Sequence, residues 1–163
     1  MANDHKGGQD FRFKAALFVA SGFGTGFVPK APGTAGAAAA LPLCWLITTF
    51  SWPVQVLAVV LVTALAIASA HVVEKGLGTK DPSLVTIDEV AGMTAAFAFH
   101  SFTLTSALSL FALFRLFDIW KPFPVKQLEE RLSGGFGIVM DDVAAGIWAN
   151  LIWTVLAEVH WHI

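Results

Sequence analysis

The sequence predicts an all-α fold: a polytopic membrane bundle of about five membrane-embedded helices, preceded by an N-terminal helix at the membrane interface. Composition gives the first reason, because 56% of the 163 residues are hydrophobic and only 13% are charged. The mean hydropathy of +0.68 is too high for an ordinary soluble domain. At about 20 apolar residues per crossing, this length accommodates one domain, residues 1–163, with short connections.

The N-terminal segment, residues 1–26, is the first predicted element. Basic residues precede its apolar run, as in a secretory signal, but Gly22, Gly24 and Gly26 interrupt that run. We therefore expect a short helix that lies on or dips into the membrane interface. Its expected apolar contacts are Phe11, Phe13, Leu17 and Phe18.

Four longer apolar stretches supply the remaining helices. The third of them is too long for one crossing and has a polar break at His100 and Ser101, so we divide it into two helices. The predicted helices are residues 34–50, 54–73, 88–99, 102–120 and 138–159.

The charged residues alternate with the predicted helices. Residues 4–30, 74–89 and 115–142 carry every Asp, Glu, Lys and Arg but one, and the helix count places these three segments at one membrane face. The opposite turns, residues 51–53 and 100–101, carry none. Because short basic loops prefer the cytoplasm, the charged face is expected to be cytoplasmic. The net charge of −2 provides no broad basic surface for nucleic acid.

Two acidic doublets lie at or near the start of predicted helices. Asp88-Glu89 follows Asp81 in one charged segment, and Asp141-Asp142 opens the last long helix after a glycine-rich stretch. Carboxylates at a helix N-terminus complement the helix dipole, so capping is one interpretation. Acids at the margin of hydrocarbon are costly without a cation or a basic partner. Two doublets at one membrane face could therefore supply the hard oxygen ligands that magnesium prefers.

Basic residues lie between the two doublets. Arg115, Asp118 and Lys121 are spaced by three residues along one predicted helix, which Pro122 ends. In one interpretation the three charges form ion pairs with one another along the helix. In the other, Arg115 and Lys121 bind phosphate oxygens, and Asp118 binds metal or acts as a base.

A helix start at residues 32–36 is a further candidate for phosphate contact. Its free backbone N–H groups attract an anion, with Gly33 and Thr34 as the expected contacts, and Thr34 can also cap the helix. The glycines at 22, 24 and 26 either allow close helix packing or contact phosphate.

Histidine and cysteine chemistry is disfavoured by position. The five histidines lie outside every group above, so a phosphohistidine mechanism has no obvious nucleophile. The single cysteine, Cys44, excludes a disulfide within the chain and lacks the following arginine loop of cysteine phosphatases. We expect Cys44 to be a packing residue.

Four segments, taken in order, resemble the motifs of the phosphatidylglycerophosphatase A family. They are PGTAG (32–36), DPSLVTIDEVAG (81–92), FRLFDIWKPFP (114–124) and GGFGIVMDDVAAG (134–146). The resemblance implies a multihelical fold and magnesium-dependent hydrolysis of phosphatidylglycerophosphate to phosphatidylglycerol and phosphate in the bacterial cytoplasmic membrane. The site residues that it carries over are Asp81, Asp88, Glu89, Arg115, Asp118, Lys121, Asp141 and Asp142.

These interpretations combine into one hypothesis, a magnesium-dependent lipid phosphatase of phospholipid biosynthesis. The expected metal ligands are Asp81, Asp88, Glu89, Asp141 and Asp142. The expected phosphate-binding residues are Arg115, Lys121, Thr34 and Gly33. The expected catalytic residues are Asp118, Asp141, Lys121 and Arg115. Direct attack by water and a phosphorylated aspartate both stay open at this point.

Two other function classes compete with the phosphatase. A small ion or proton-coupled transporter would also place carboxylates in a helical bundle, although usually near the membrane midplane rather than at one face. A purely structural membrane subunit would need neither acidic doublet.

Overall fold

The structure, a computed structural model, describes the backbone of residues 3–161 and the side chains of residues 10–158. It contains eight α-helices and one 3₁₀ turn at Thr25–Phe27 within that part of the chain, and the same part contains no strand. The predicted all-α class is therefore confirmed. The helices are α1 (Asn3–Ala20), α2 (Pro32–Ala39), α3 (Leu41–Thr48), α4 (Trp52–Leu77), α5 (Ile87–Phe97), α6 (Leu104–Trp120), α7 (Val125–Arg131) and α8 (Gly134–Trp161).

The apolar stretches fold into helices close to their predicted bounds. The third stretch divides between α5 and α6 around the predicted polar break. The first stretch divides into α2 and α3, because Pro42 has no backbone N–H with which to continue the hydrogen-bond ladder. The short helix α7 was not predicted, since its sequence is polar and only seven residues long.

Two helices, α4 and α8, are long and apolar enough to cross a membrane. The segment α2–α3 is apolar but shorter. The eleven residues of α5 rise only about 16 Å, roughly half of the 30 Å hydrocarbon thickness. Every residue of α5 except Glu89 is buried, so this helix lies among its neighbours and does not face lipid.

Close packing between α5 and α8 fixes the centre of the bundle. A Cβ atom on Gly146 would collide with the carbonyl oxygen of Gly92, and one on Gly92 would meet both the Phe114 ring and the carbonyl oxygen of Asp142. Small residues at such a crossing let two backbones approach closely. Because Gly92 and Gly146 each follow an aspartate by one helical turn, the crossing also brings Asp88 and Asp142 together.

The N-terminal segment packs against the bundle. In α1, Phe13 contacts α4 at Gly76 and Leu17 packs on the core, whereas Phe11 and Phe18 are exposed. Two of the four predicted apolar side chains therefore pack against the protein, and the other two are exposed.

The glycine-rich turn after α1 serves packing. Added Cβ atoms on Gly22 and Gly26 would collide with Thr86 and Leu84, in the loop before α5. The backbone N–H of Thr86 donates a hydrogen bond to the carbonyl oxygen of Ala20 over 2.8 Å. The packing interpretation of these glycines is supported, because none of them lines the cavity described below.

Candidate active site

One cavity of about 430 Å³ brings together every predicted site residue. It lies where the N-terminal ends of α2, α5 and α8 meet the C-terminal end of α6 and the loop between α4 and α5. The ten residues are Gly33, Thr34, Asp81, Asp88, Glu89, Arg115, Asp118, Lys121, Asp141 and Asp142. The described histidine side chains, those of His71 and His100, do not line it, and the side chains of His5, His160 and His162 lie outside the described residues.

Three carboxylates form the most compact group in the cavity. One oxygen from each of Asp88, Glu89 and Asp142 lies within 4.8 Å of the other two. Asp88 and Asp142 are only 8% and 5% exposed. The oxygens Asp88 Oδ1, Glu89 Oε2 and Asp142 Oδ2 are buried and have no hydrogen-bond partner. Three like charges buried this closely repel one another unless a cation binds between them, so the set fits a divalent metal ion.

The second doublet does not open the last helix as predicted, because α8 begins at Gly134, about two turns earlier, and the doublet therefore does not cap it. The structure also separates its two members. Asp142 joins the three-carboxylate group, whereas Oδ2 of Asp141 accepts a hydrogen bond from Lys121 Nζ at 3.0 Å. The other oxygen of Asp141, Oδ1, is buried and has no partner. Asp81 lines the cavity without joining the three-carboxylate group.

Arg115 connects α6 to the acidic group. Its Nη1 atom lies 2.6 Å from Oδ2 of Asp118 and 3.8 Å from Oε1 of Glu89. Its Nε atom is buried without a hydrogen-bond partner. The guanidinium is thus held at the cavity wall by two carboxylates and keeps a free donor for an anion.

Lys121 does not continue the ion-pair ladder of α6. It caps the helix with a left-handed backbone (φ 50°) and its ammonium lies between Asp141 and Glu129, the latter 2.7 Å away on α7. Burial lowers the pKa of Lys121, but the hydrogen bond to Glu129 and the charge of Asp141 outweigh burial, so the pKa is raised. Lys121 therefore stays positively charged at neutral pH.

Asp81 is a strained residue in the loop between α4 and α5, with a φ of 47°. Burial raises the pKa of its carboxyl group, and the nearby charge of Lys121 lowers it only in part. Lys30 and Lys121 also have positive φ and also line the cavity. Left-handed backbone at non-glycine residues is uncommon and clusters at functional sites.

The start of α2 brings backbone donors to the cavity. The helix begins at Pro32, so its N-cap is Ala31, which has no side-chain cap. The expectation that Thr34 caps this helix was therefore wrong, because proline at the first helical position moves Thr34 into the first turn. The N–H groups of Gly33 and Thr34 precede the first intrahelical hydrogen bond, which runs from Ala35 to Ala31.

Gly33 lies directly against the acidic group. A Cβ atom at this position would collide with Oε1 of Glu89 and would lie 3.3 Å from Nη1 of Arg115. Only glycine lets α2 approach this closely without moving the Glu89 carboxylate.

Sequence reasoning missed three polar or charged residues of the site. Lys30 and Ser83 line the cavity, and Glu129 pairs with Lys121. Lys30 could have been found from its place two residues before the PGTAG segment, where it adds a cation to a helix start that already favours anions. Glu129 gave no such signal, because it lies on the unpredicted helix α7.

Comparison with known proteins identifies the family. A family model described as phosphatidylglycerophosphatase A matches residues 18–157. The chain belongs to the phosphatidylglycerophosphatase A family. The matched range contains all four motif segments and every residue that lines the cavity, and it confirms the resemblance found in the sequence.

Individual members and relatives of the phosphatidylglycerophosphatase A family cover most of the chain. Phosphatidylglycerophosphatase A of Escherichia coli (strain K12) is 34% identical over 130 residues, which are 79% of this chain and 76% of the relative. Phosphatidylglycerophosphatase A of Haemophilus influenzae is 35% identical over 148 residues, 88% of each chain. A candidate phosphatidylinositol-3-phosphatase of Bacteroides thetaiotaomicron is 38% identical over 145 residues, 83% of this chain and 89% of the relative. No solved structure matches the chain.

Proposed function

We propose that this chain is a lipid phosphatase of phosphatidylglycerol synthesis, which hydrolyses phosphatidylglycerophosphate to phosphatidylglycerol and phosphate with the help of magnesium. One observation carries the proposal: three carboxylates, each with a buried oxygen that has no hydrogen-bond partner, lie in the same cavity as Arg115, Lys121 and the start of α2. Carboxylates alone would suit a cation-binding protein. Their combination with donors for an anion suits a phosphate ester bound beside a metal ion. Family membership supports the same substrate.

In this proposal Asp88, Glu89 and Asp142 hold the magnesium ion. Their oxygens are the hard ligands that magnesium prefers, and three of those oxygens lack any other partner. When bound, the ion supplies positive charge that stabilises the phosphoryl group and acidifies water.

Phosphate binding falls to residues on two other helices. Arg115 donates from its free Nε, and the N–H groups of Gly33 and Thr34, which line the same cavity, donate from the positive end of α2. Asp118 holds the guanidinium through its 2.6 Å ion pair and acts as a positioning residue. Lys121 neutralises the charge that develops as the ester bond breaks.

Asp141 is the residue best arranged to accept a proton. Lys121 holds one of its oxygens, and the other, Oδ1, is buried, unpartnered and at the cavity wall. A water oxygen forms the new bond to phosphorus and gives a proton to Asp141. The ester P–O bond breaks, and the glycerol oxygen leaves with a proton from solvent. Incorporation of isotopically labelled solvent oxygen into phosphate in the first turnover, without a trapped phosphoenzyme, would support this direct route.

We also propose a single domain, residues 1–163, with a multi-pass arrangement in the bacterial cytoplasmic membrane. The five membrane-embedded segments are α2–α3, α4, α5, α6 and α8, with α1 at the interface. The apolar lengths of α4 and α8 support it, as does the position of every site residue at one end of these helices. The charged end faces the cytoplasm because short basic loops prefer that side. Carboxylates at one end also favour a phosphatase over a transporter.

Phosphate release from purified protein tests the function. With phosphatidylglycerophosphate in detergent micelles and added magnesium, we expect steady release of phosphate. Exhaustive chelation should abolish it, renewed magnesium should restore it, and calcium should substitute poorly because it is larger and prefers looser geometry. No release at any magnesium concentration would refute the phosphatase, and full activity after chelation would refute the metal.

A further inference from the structure

A second, entirely apolar groove of about 520 Å³ lies between α2–α3 and α6. Its lining consists of alanine, leucine and phenylalanine side chains. Leu104 and Leu108 on its α6 wall are 76% and 63% exposed. No residue of the groove belongs to the predicted site.

The groove and the site cavity share the same two helix walls. On α6, Arg115 lines the cavity, and Phe111, Leu108 and Leu104 line the groove 4, 7 and 11 residues earlier, on the same helix face. On the other wall, Thr34 lines the cavity and Ala38 lines the groove one turn later. The polar cavity and the apolar groove therefore follow one another along the same faces of α2 and α6.

The combined length of the cavity and the groove along α6 matches one leaflet of a bilayer. From Arg115 to Leu104 the helix rises about 16 Å, and half of a bilayer's hydrocarbon core is about 15 Å thick. The charged end of the bundle marks where headgroups lie, so the groove descends from headgroup depth towards the membrane midplane.

Other exits from the cavity have different chemistry. A neighbouring pocket of about 290 Å³, which shares Asp81 and Asp141 with the cavity, is lined by the charged residues Glu74, Lys80 and Glu129. That pocket is charged and mainly acidic, so it does not suit hydrocarbon. A further groove of about 350 Å³, mainly apolar, lies between the first part of α4, the end of α5 and α8, and it shares no lining residue with the cavity.

We propose that one acyl chain of a glycerophospholipid substrate lies in the α2–α6 groove and that the lipid reaches the cavity sideways, between these helices. This inference rests on the proposed function and adds a binding site for the lipid tail. A molecule with a phosphate at one end and hydrocarbon at the other has the same order of polar and apolar parts as the cavity and the groove. The small side chain of Ala38 keeps the groove open, while Leu108 and Phe111 form its opposite wall.

A groove-filling variant, Ala38→Phe, tests the proposal by a ratio of two activities. The substrates are dioleoyl and dihexanoyl phosphatidylglycerophosphate, whose reacting phosphates are identical. Because only the long chain needs the groove, we expect the long-to-short ratio of kcat/KM to fall about tenfold, mainly through a higher KM for the long lipid. Loss of folded protein lowers both activities equally and leaves the ratio unchanged.

The matched control is Ala39→Phe. Ala39 is exposed on the same helix and does not line the groove, so the same added ring should leave the ratio at its wild-type value. An unchanged ratio in Ala38→Phe, or an equal fall in both variants, would overturn the groove as the acyl site.

Photolabelling of the wild-type protein distinguishes failure of this inference from failure of the proposed function, since it needs no turnover. A phosphatidylglycerophosphate with a diazirine in one acyl chain should label peptides that contain Leu108 or Phe111, and excess unlabelled substrate should remove that label. Labelling confined to other helices would refute the groove even in an active enzyme. A disulfide-linked dimer of Leu108→Cys in vesicles would assign the groove to a second copy of the chain and overturn the proposal.

Discussion

The position of the Glu89 carboxylate can be shifted without touching any acidic residue. Gly33→Ala adds one methyl group where Oε1 of Glu89 now lies. Since ordinary contact begins near 3.4 Å, the carboxylate must retreat by more than one ångström, or α2 must move away from it. Alanine is a better helix former than glycine by about 1 kcal/mol, so α2 itself should not suffer.

A displacement of this size in an active site costs about a hundredfold in rate, or about 2.7 kcal/mol. We therefore expect Gly33→Ala to lower kcat/KM for phosphate release about a hundredfold, with an unchanged helical circular dichroism spectrum. The assay is steady-state phosphate release at saturating magnesium, with equal amounts of monodisperse protein.

A double-mutant cycle with Glu89→Gln identifies the cause. If the methyl group acts by moving Glu89, it should cost far less once that carboxylate is gone, so the two losses should fall well short of additive. Near-normal kcat/KM in well-folded Gly33→Ala would refute the reasoning, because the position of Glu89 would then not matter. Full additivity would attribute the loss to the phosphate-binding N–H groups of α2.

Three further predictions concern charge and topology. Asp142→Asn should lower turnover at least tenfold and raise the magnesium concentration needed for half activity, whereas the exposed Asp10→Asn should do neither; equal behaviour of the two would remove Asp142 from the metal site. A reporter fused after Ser101 should appear outside the cytoplasm and one after Lys126 inside, and the reverse would remove the proposed orientation. Because the folded-state pKa of Lys121 is raised, its ion pairs stabilise the fold fully below about pH 10.5 and lose effect only at higher pH. The interval from about pH 7 to 9 lies below that value, so the difference in thermal unfolding midpoint between wild type and Lys121→Met should be constant across it. A difference that disappears in this interval would contradict the pairing.

Helix existence and the clustering of the site residues followed from patterns that sequence carries directly. The length of the apolar stretches predicts the helices, and the alternation of charged with uncharged connections predicts which helix ends lie together. Once the acidic doublets and Arg115 are assigned to the same end of a compact bundle, their proximity needs little further information.

The different positions of neighbouring residues within a motif, in contrast, depend on tertiary contacts. Adjacent residues on a helix point about 100° apart, so sequence shows that Asp141 and Asp142 diverge but not which one faces α5. The Gly92–Gly146 crossing sets that rotation. The direction of Lys121 is likewise set by Glu129, on a helix too short and polar to be predicted.

The enclosure of α5 has a consequence for biogenesis. This helix is too short to span the hydrocarbon by itself and carries two acids in its first turn. Its most extensive contacts are with α8, whose first residue emerges from the ribosome nearly forty residues after the last residue of α5. Until α8 arrives, neither the glycine crossing nor the three-carboxylate group can exist. The reactive centre is therefore assembled among the last events of synthesis, after the apolar helices on both sides of α5 have been made.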